Sequence, residues 1–505
     1  MLIASLRAAA QRRGKHPVFV TQTGESISAG DLLGGATATA VGLAEAGVSE
    51  RDLVAIDLPS DVGYLLTYLG CASLGAVAAG LNRRLTHSER ADLVDGVEPD
   101  WIVTDTPELW RHKGPHIIPV TTSAHPDEAL LELRSASSGR GNSLPPLPPD
   151  PDRPVAVVFT SGTTGRPKAA VFGESQIEAI TLADTGGALD IGGRVIAATS
   201  FAHVGFMTKL AGNLALGTTM FMIDRWRARN VLRAVEDLGL TAVTGVPTQI
   251  ALMVRDELWV TPPDVTSVRA IITGGGPLTP DVARLARQRF GAPLSNRYSS
   301  TETGVISATA LDAPAEDAEV SVGFPRTGVT IEIRDPDDPA RPTVEGEVCV
   351  RSAACMSGYY DDPAATAEVL LPDGFIRTRD LGAFDPQGRL ALLGRTGDSF
   401  IRGGYNLHPA QIEAVLCAHP DLAAVAIVPV PDAVMGTVPV AVVVTRPGRT
   451  APTASDLNGW ASAQLSKDKL PVEVIAIDEL PYTAMNKLDR SQLTRVACKA
   501  QLSHE

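Results

Sequence analysis

The sequence predicts an α/β protein with a large N-terminal domain and a small α+β C-terminal domain. A chain of 505 residues is longer than one hydrophobic core usually organises. Short β-rich runs alternate with helical segments up to residue 273, and a second αβ pattern starts after residue 398. We therefore predict domains at residues 1–395 and 396–505, the second of ordinary small-domain size.

The N-terminal pattern predicts two helix-covered sheets, parallel or mixed. Residues 1–60 indicate a helix, a hairpin at 17–20 and 26–28, and an amphipathic helix at 31–46. Buried strands are predicted at 54–58, 101–104, 155–159, 194–199, 218–222, 241–245 and 269–273. In such sheets, ligands bind at the carboxyl ends of the strands.

Two smaller units complete the predicted fold. Strand patterns at 346–351 and 390–393 follow a turn at 335–342 and indicate a small β-barrel-like subdomain. The C-terminal pattern consists of helices and strands at 409–417, 423–429, 438–445, 455–464 and 473–477.

Composition and charge exclude several classes of function. The net charge of −14 argues against nucleic-acid binding and against broad binding to anionic membranes. Five scattered cysteines without a Cys-x-x-Cys pair indicate neither a disulfide framework nor a zinc site, so a cytoplasmic location is expected. The N-terminus lacks the order of a signal peptide. The uncharged run 62–82 is rich in small residues, which favours a buried helix and strand over an integral membrane segment.

A loop with the chemistry of an anion site follows one predicted strand. Residues 155–159 read VAVVF, and residues 160–168 read TSGTTGRPK. Glycines allow a ligand to approach the backbone, while amide groups, hydroxyls and a lysine can surround phosphate oxygens. The loop is not a Walker A motif, because no Gly-Lys-Ser/Thr closes it. A polar hairpin loop on the surface is the alternative interpretation.

Several separated segments, in order, resemble those of the adenylate-forming superfamily of acyl- and aryl-CoA synthetases, peptide adenylation domains and luciferases. The similarity extends from about residue 15 to residue 492. Its segments are TSGTTGRPK at 160–168, SFAH at 200–203, GGGPL at 274–278, YSSTE at 298–302, TRD at 378–380, GR at 394–395, RGGYN at 402–406 and PYTAMNK at 481–487.

This resemblance implies a two-step reaction with ATP, Mg²⁺ and a thiol, and it implies a role for each segment. A carboxylic acid would form an acyl-adenylate and then transfer its acyl group to CoA. The implied nucleotide-binding residues are Thr160, Ser161, Gly162, Thr163, Thr164, Gly165 and Lys168 for the phosphates, Gly274, Gly275, Gly276, Tyr298 and Ser299 for the adenine, and Asp380 and Arg395 for the ribose.

The resemblance also implies the residues that act during the reaction. Thr301 would hold the α-phosphate, Glu302 the Mg²⁺ ion, and Lys487 both the substrate carboxylate and the α-phosphate. His203 is either a wall of the acyl or thiol tunnel or a core histidine. The segment after His203, the residues around Gly245 and the turn at 274–276 are expected to line the substrate pocket. Asp398 would be the hinge about which the C-terminal domain rotates. The implied CoA-binding residues are Arg402, Gly403, Gly404 and Tyr405.

Three departures from the family pattern leave alternatives open. Ser299, Arg379 and Asn486 stand where the family usually has glycine, which could weaken one half-reaction. The first hypothesis is an acyl- or aryl-CoA ligase. The alternatives are an enzyme that uses a preformed adenylate, one that loads an acyl carrier protein, and a non-catalytic nucleotide- or acyl-binding protein. No acidic residue is obviously placed to bind an amino group, which favours an apolar acid.

Overall fold

The computed structural model describes most of the chain. Outside the described residues lie 112–113, 124, 137–143, 146, 161–167, 190–191, 198, 224, 398–399, 403–404, 433–434, 483–487 and 503–505. The side chains of residues 135–136, 401, 405–406, 436 and 501–502 are also outside the description.

The described strands, in chain order, are β1 (Pro17–Val20), β2 (Ser26–Ser28), β3 (Leu53–Asp57), β4 (Val77–Gly80), β5 (Trp101–Thr104), β6 (His116–Pro119), β7 (Pro154–Phe159), β8 (Ala169–Gly173), β9 (Arg194–Ile196), β10 (Thr219–Phe221), β11 (Ala242–Gly245), β12 (Ala270–Gly274), β13 (Leu294–Ser300), β14 (Gly304–Ala308), β15 (Phe324–Pro325), β16 (Thr330–Arg334), β17 (Glu345–Arg351), β18 (Gly358–Tyr359), β19 (Ile376–Phe384), β20 (Leu390–Arg395), β21 (Phe400–Arg402), β22 (Tyr405–Leu407), β23 (Leu422–Asp432), β24 (Gly436–Thr445) and β25 (Glu473–Ala476).

The described α-helices, in chain order, are α1 (Leu2–Arg13), α2 (Ala29–Ala46), α3 (Val62–Leu74), α4 (His87–Val97), α5 (Leu131–Ala136), α6 (Glu174–Thr185), α7 (Val204–Met207), α8 (Leu210–Leu216), α9 (Ala228–Leu238), α10 (Pro247–Val254), α11 (Pro280–Phe290), α12 (Asp317–Val320), α13 (Pro363–Val369), α14 (Pro409–Leu416), α15 (Ala454–Ala461) and α16 (Arg490–Leu502).

Two large mixed sheets form the N-terminal domain, as the sequence predicts. One has the strand order β18-β8-β7-β4-β3-β5-β6, in which β7, β4, β3, β5 and β6 are parallel and the hairpin partner β8 is antiparallel. The other has the order β11-β12-β13-β14-β15, with parallel pairing from β11 to β13. Separate groups of buried apolar side chains pack against these two sheets.

Strands β9 and β10 belong to a smaller third sheet that the sequence analysis does not separate from the other two. Its order is β2-β1-β10-β9, and β10 pairs in parallel with β1. The partner strand is about two hundred residues earlier in the chain, so local periodicity contains no information about the pairing. Strands β16, β17, β19 and β20 form a four-stranded antiparallel sheet where the small β subdomain is predicted.

The C-terminal unit has its own sheet and its own core. The sheet is built around the long antiparallel pair β23–β24, with β21, β22 and β25 at its sides. Leu416 and Leu457 are fully buried against one face, and Leu493 and Ala497 against the other. A small domain with two covered faces agrees with the predicted α+β unit. The boundary between residues 395 and 396 stays a prediction.

The uncharged run 62–82 forms helix α3 followed by strand β4, which confirms the predicted buried helix and strand. In the described part of the chain, no helix has both the length and the apolar character needed to cross a bilayer.

Asp61 caps the N-terminus of α3, and its ionisation is expected to make the free energy of unfolding depend on pH. Its carboxylate accepts hydrogen bonds from the backbone N–H groups of Gly63 and Tyr64, and burial raises its pKa to about 6. A raised carboxyl pKa means that stability is lost as pH rises towards 6, because the folded state resists ionisation. We expect Asp61→Asn, which keeps a capping oxygen, to raise the free energy of unfolding by about 1–2 kcal/mol at pH 8.

At pH 4 the same substitution should have almost no effect, because the wild-type carboxyl is largely protonated in the folded state. Urea denaturation at the two pH values measures the difference. An equal effect of Asp61→Asn at pH 4 and pH 8 would contradict the expectation.

Candidate functional site

Three predicted nucleotide-binding residues meet at one point between two sheets. The Tyr298 hydroxyl, from β13, donates a hydrogen bond of 2.6 Å to Oδ2 of Asp380, from β19. Nε of Arg395, from β20, lies 2.8 Å from Oδ1 of the same carboxylate. Burial and the neighbouring Asp380 carboxylate raise the pKa of Tyr298, so its hydroxyl stays protonated. The two contacts hold the Asp380 side chain in one orientation, with a guanidinium beside one oxygen and a hydroxyl beside the other.

The glycine turn 274–276 packs against the strand that carries Tyr298. Gly274 pairs with Arg297 across β12 and β13, and a Cβ at Gly274 would clash with the carbonyl oxygen of Arg297. Gly275 has a φ of +82°, a conformation that favours glycine. Ser299 lies at a register shift between β13 and β14. The predicted adenine-binding segments are therefore adjacent in the fold.

Lys168 and Glu302, which are 134 positions apart in the numbering, both contact the side chain of Tyr359. The Tyr359 hydroxyl donates to Oε1 of Glu302 at 3.0 Å. The Lys168 ammonium lies 5.1 Å from the centroid of the Tyr359 ring. The end of the glycine- and hydroxyl-rich loop and the acid after Thr301 therefore border the same site.

The loop at 160–168 joins two antiparallel strands. The backbone N–H of Thr160 donates to the carbonyl of Lys168 at 2.8 Å, and β7 pairs with β8. The remaining predicted phosphate-binding residues lie outside the described residues, and their contacts stay predictions: Ser161, Gly162, Thr163, Thr164 and Gly165.

Tyr359 and Glu368 are residues of this site that the sequence analysis missed. Oε2 of Glu368, on α13, lies 3.2 Å from Nζ of Lys168 and 3.2 Å from Nη2 of Arg379. A single carboxylate oxygen thus contacts both cations. The sequence gives only a weak indication that Tyr359 belongs to the site: it is one of seven tyrosines in the chain, and it follows Gly358. For Glu368, the sequence contains no such signal.

Arg379 adopts a backbone conformation that is unusual for a side chain with a Cβ. Its φ is +60°, and its backbone N–H donates to Oε1 of the buried Glu347 at 2.8 Å. Glu347 also forms an ion pair with Arg377. The conformation is therefore held by Glu347, and it directs the Arg379 guanidinium towards Glu368, beside the predicted nucleotide-binding residues.

His203 is used locally as a helix cap. It precedes α7, and its Nδ1 accepts the backbone N–H of Gly205 at 3.1 Å. This contact fixes the ring at the start of the segment that the sequence assigns to the acyl site. The role of His203 as a tunnel wall stays a prediction.

The predicted hinge and thiolation residues are described only in part. Nη1 of Arg402 donates to the carbonyl oxygens of Asp468 and Leu470, at 2.8 Å and 3.1 Å. In this arrangement Arg402 connects two segments of the C-terminal domain. Lying outside the described residues are Asp398, Gly403, Gly404, Lys487 and the side chain of Tyr405.

Two family models match the chain, one in the N-terminal part and one in the C-terminal part. The AMP-binding enzyme model covers residues 6–360, and the AMP-binding enzyme C-terminal domain model covers residues 411–487. The chain belongs to the AMP-binding enzyme family. As a member of this adenylate-forming family, it binds ATP or AMP and is an AMP-forming acid–thiol ligase.

Relatives and solved structures of the AMP-binding family match almost the whole chain. Indoleacetate–CoA ligase of Aromatoleum aromaticum is 32% identical over 494 residues, 94% of each chain. The fatty acid–[acyl-carrier-protein] ligase ScoC of Streptomyces coeruleorubidus is 30% identical over 464 residues, 89% of this chain and 88% of that protein. The structure of ATP-bound MatB from Rhodopseudomonas palustris has a TM-score of 0.87 at 25% identity, and the match covers 99% of this chain and 100% of that one.

Proposed function

We propose that the protein activates a carboxylic acid with MgATP as an acyl-adenylate and then transfers the acyl group to CoA. The observation that carries this proposal is that Lys168 and Glu302 contact one tyrosine side chain, Lys168 at the ring and Glu302 at the hydroxyl of Tyr359. The triphosphate of a nucleotide needs a cation and a ligand for Mg²⁺ close to each other. Lys168, at the end of the predicted phosphate loop, supplies the cation, and Glu302 supplies a carboxylate suited to Mg²⁺.

The first step joins the acid to the nucleotide. A carboxylate oxygen of the acid attacks the α-phosphorus of ATP, and the bond to the β-phosphate oxygen breaks, releasing pyrophosphate. Asp380 and Arg395 would hold the ribose, Thr301 the α-phosphate, and Lys487 would stabilise the negative charge that develops there. In the second step, the sulfur of CoA attacks the acyl carbon and AMP leaves.

Glu302 fits the role of a magnesium ligand. One of its oxygens accepts from Tyr359, and carboxylate oxygens are preferred ligands of this cation. In the described part of the chain, no group of three metal-ligating side chains occurs, so phosphate oxygens would complete the coordination. A bound Mg²⁺ ion would neutralise phosphate charge.

Pyrophosphate release with ATP and a panel of carboxylic acids tests the proposal. Release that depends on the acid, followed by a thioester mass when CoA is added, is the expected result. Absence of pyrophosphate with every acid would favour either a non-catalytic binding protein or an enzyme that uses only a preformed adenylate. Incubation of a synthetic acyl-adenylate with CoA distinguishes these two alternatives.

A carrier protein is the second candidate acceptor. The ScoC relative, 30% identical, is named for an acyl carrier protein rather than for CoA. Parallel reactions with CoA and with an acyl carrier protein therefore decide which thiol accepts the acyl group. The proposed acceptor is CoA, because the indoleacetate–CoA ligase relative, 32% identical over 94% of the chain, is named for CoA.

The contacts of Glu368 predict an effect on nucleotide affinity. Its carboxylate holds Lys168 and Arg379, so it competes with phosphate oxygens for both cations. Because Glu368 is 58% exposed, each ion pair is weak. We expect Glu368→Gln to lower the dissociation constant for MgATP by about two- to fivefold, measured by calorimetry.

The exposed Glu236 on α9 provides a matched control, and Glu236→Gln should leave the affinity unchanged. Weaker binding of MgATP to the Glu368→Gln variant would show that Glu368 positions the two cations for the nucleotide rather than competing for them.

A further inference from the structure

Arg297 is a largely buried cation without a bound anion. Its Nε is buried and has no hydrogen-bond partner, and its guanidinium forms no ion pair within the described residues. Burial lowers its pKa. Two other arginines that have a buried nitrogen without a partner form an ion pair through another nitrogen of the same guanidinium. Arg90 pairs in this way with Asp57, and Arg287 with Glu319. An unpaired charge in such a place costs stability, and a ligand can supply the missing partner.

Arg297 adjoins the predicted nucleotide-binding residues in the chain and in the sheet. It precedes Tyr298, which contacts Asp380, and it pairs with Gly274 of the glycine turn. Neighbouring residues of a strand point to opposite faces, so Arg297 lies on the face opposite to the Tyr298 ring. Arg297 also pairs with Gly274, and the glycine turn is one of the segments that are expected to line the substrate pocket.

Two further cations accompany Arg297 near the C-terminal end of α6. Nη2 of Arg326 donates to the carbonyl of Ala183 at 2.6 Å, and Nζ of Lys209 lies 3.2 Å from Asp184. Asp184 and Arg326 are also the charged groups that act on Arg297. We call Lys209, Arg297 and Arg326 the cationic cluster.

Among the described residues, the three cations of the cationic cluster form one ion pair, between Lys209 and Asp184. Among the charged groups just named, Asp184 is the single carboxylate, and the C-terminal end of α6 adds about half a negative charge. Lys209 follows His203 by six positions in the segment that the sequence assigns to the acyl pocket. An apolar acid, which the sequence analysis favours, would leave this excess unbalanced beside the substrate.

We propose that the acid substrate carries a second carboxylate, which Arg297 binds with its planar guanidinium while Lys209 and Arg326 add attraction. Arginine forms two parallel hydrogen bonds to a carboxylate, and such pairs are strong where water is scarce. This inference rests on the proposed function, because it concerns the acid that is adenylated. The reacting carboxylate is directed to the nucleotide, and the second one to Arg297.

A paired panel of acids tests the proposal. The probes are straight-chain α,ω-dicarboxylic acids of four to eight carbons and the monocarboxylic acids of equal length. We expect wild-type kcat/KM, measured by pyrophosphate release, to favour the diacid at least tenfold at one length or more. Arg297→Gln should remove this preference without changing the KM for ATP. Arg233→Gln, at an exposed arginine of α9, should change neither value.

Unfolding of the variant separates binding from a structural role. Since Arg297 forms no ion pair within the described residues, Arg297→Gln should unfold at the same temperature as the wild type or at a higher one. A markedly lower unfolding temperature would overturn the proposal, because it would show that the guanidinium has a structural function. Arg297→Lys should keep part of the diacid preference, since it retains the charge but not the two-donor geometry.

The outcomes for the two proposals are distinguishable. If the enzyme turns over monoacids and shows no preference for diacids, the proposal of a second carboxylate is overturned, while the proposed ligase function is supported. If no acid leads to release of pyrophosphate, the proposed ligase function is refuted. Calorimetry with the same diacids then tests separately whether Arg297 binds a carboxylate. Diacid binding that is lost in Arg297→Gln supports the site, and absence of binding to the wild type overturns it.

Discussion

Replacing Lys487 by alanine should abolish adenylation while leaving thioester formation largely intact. The lysine would stabilise charge on the substrate carboxylate and the α-phosphate, which develops only in the first half-reaction. Removing one such donor from a transition state typically costs a factor of about a hundred to a thousand in rate. We therefore expect acid-dependent pyrophosphate release to fall about a thousandfold.

The second half-reaction provides the comparison within the same variant. A synthetic acyl-adenylate mixed with CoA should yield the thioester at a rate within a few-fold of the wild-type rate. Lys499→Ala, at an exposed lysine of α16, is the matched control and should affect neither step. Wild-type pyrophosphate release by Lys487→Ala would remove this lysine from the mechanism.

Replacing Asp380 by asparagine should weaken ATP binding by about a hundredfold. Its two carboxylate oxygens contact Tyr298 and Arg395, which fixes the orientation of the group that is proposed to bind the ribose hydroxyls. Asparagine offers one acceptor and no charge, so two charge-assisted hydrogen bonds are weakened or lost. At about 1.5–3 kcal/mol each, the loss of these bonds is large enough for the expected effect.

Calorimetry with MgATP in the absence of acid measures this effect without turnover. Asp337→Asn removes the same charge from an exposed turn and should leave the affinity unchanged. If Asp380→Asn binds MgATP as tightly as the wild type, the ribose does not lie against this carboxylate.

The sequence predicts individual elements better than it predicts their pairing. The run 62–82 has a composition that indicates α3 and β4, and both are present. The membership of β10 in a third sheet depends on its pairing with β1, about two hundred residues away. Periodicity reports which side of a strand is buried, and it does not report which strand lies beside it.

In the candidate site, too, the sequence predicts some residues and not others. Motif order predicts that Tyr298, Asp380 and Arg395 belong together, and their side chains are in contact. Tyr359 and Glu368 act through single side chains outside any motif, so their positions emerge only when β8, β18 and α13 pack together. Arg297 directly precedes the YSSTE segment and belongs to no motif, and its lack of an ion pair among the described residues is a property of the fold.

A crystal structure with bound MgATP shows where the nucleotide lies. We expect the ribose against Asp380, the β- and γ-phosphates beside Thr160 and Lys168, and a magnesium ion on Glu302. A nucleotide bound elsewhere, or one that reaches Asp380 with its phosphates pointing away from Lys168 and Glu302, would refute the assignment of these residues to one nucleotide site.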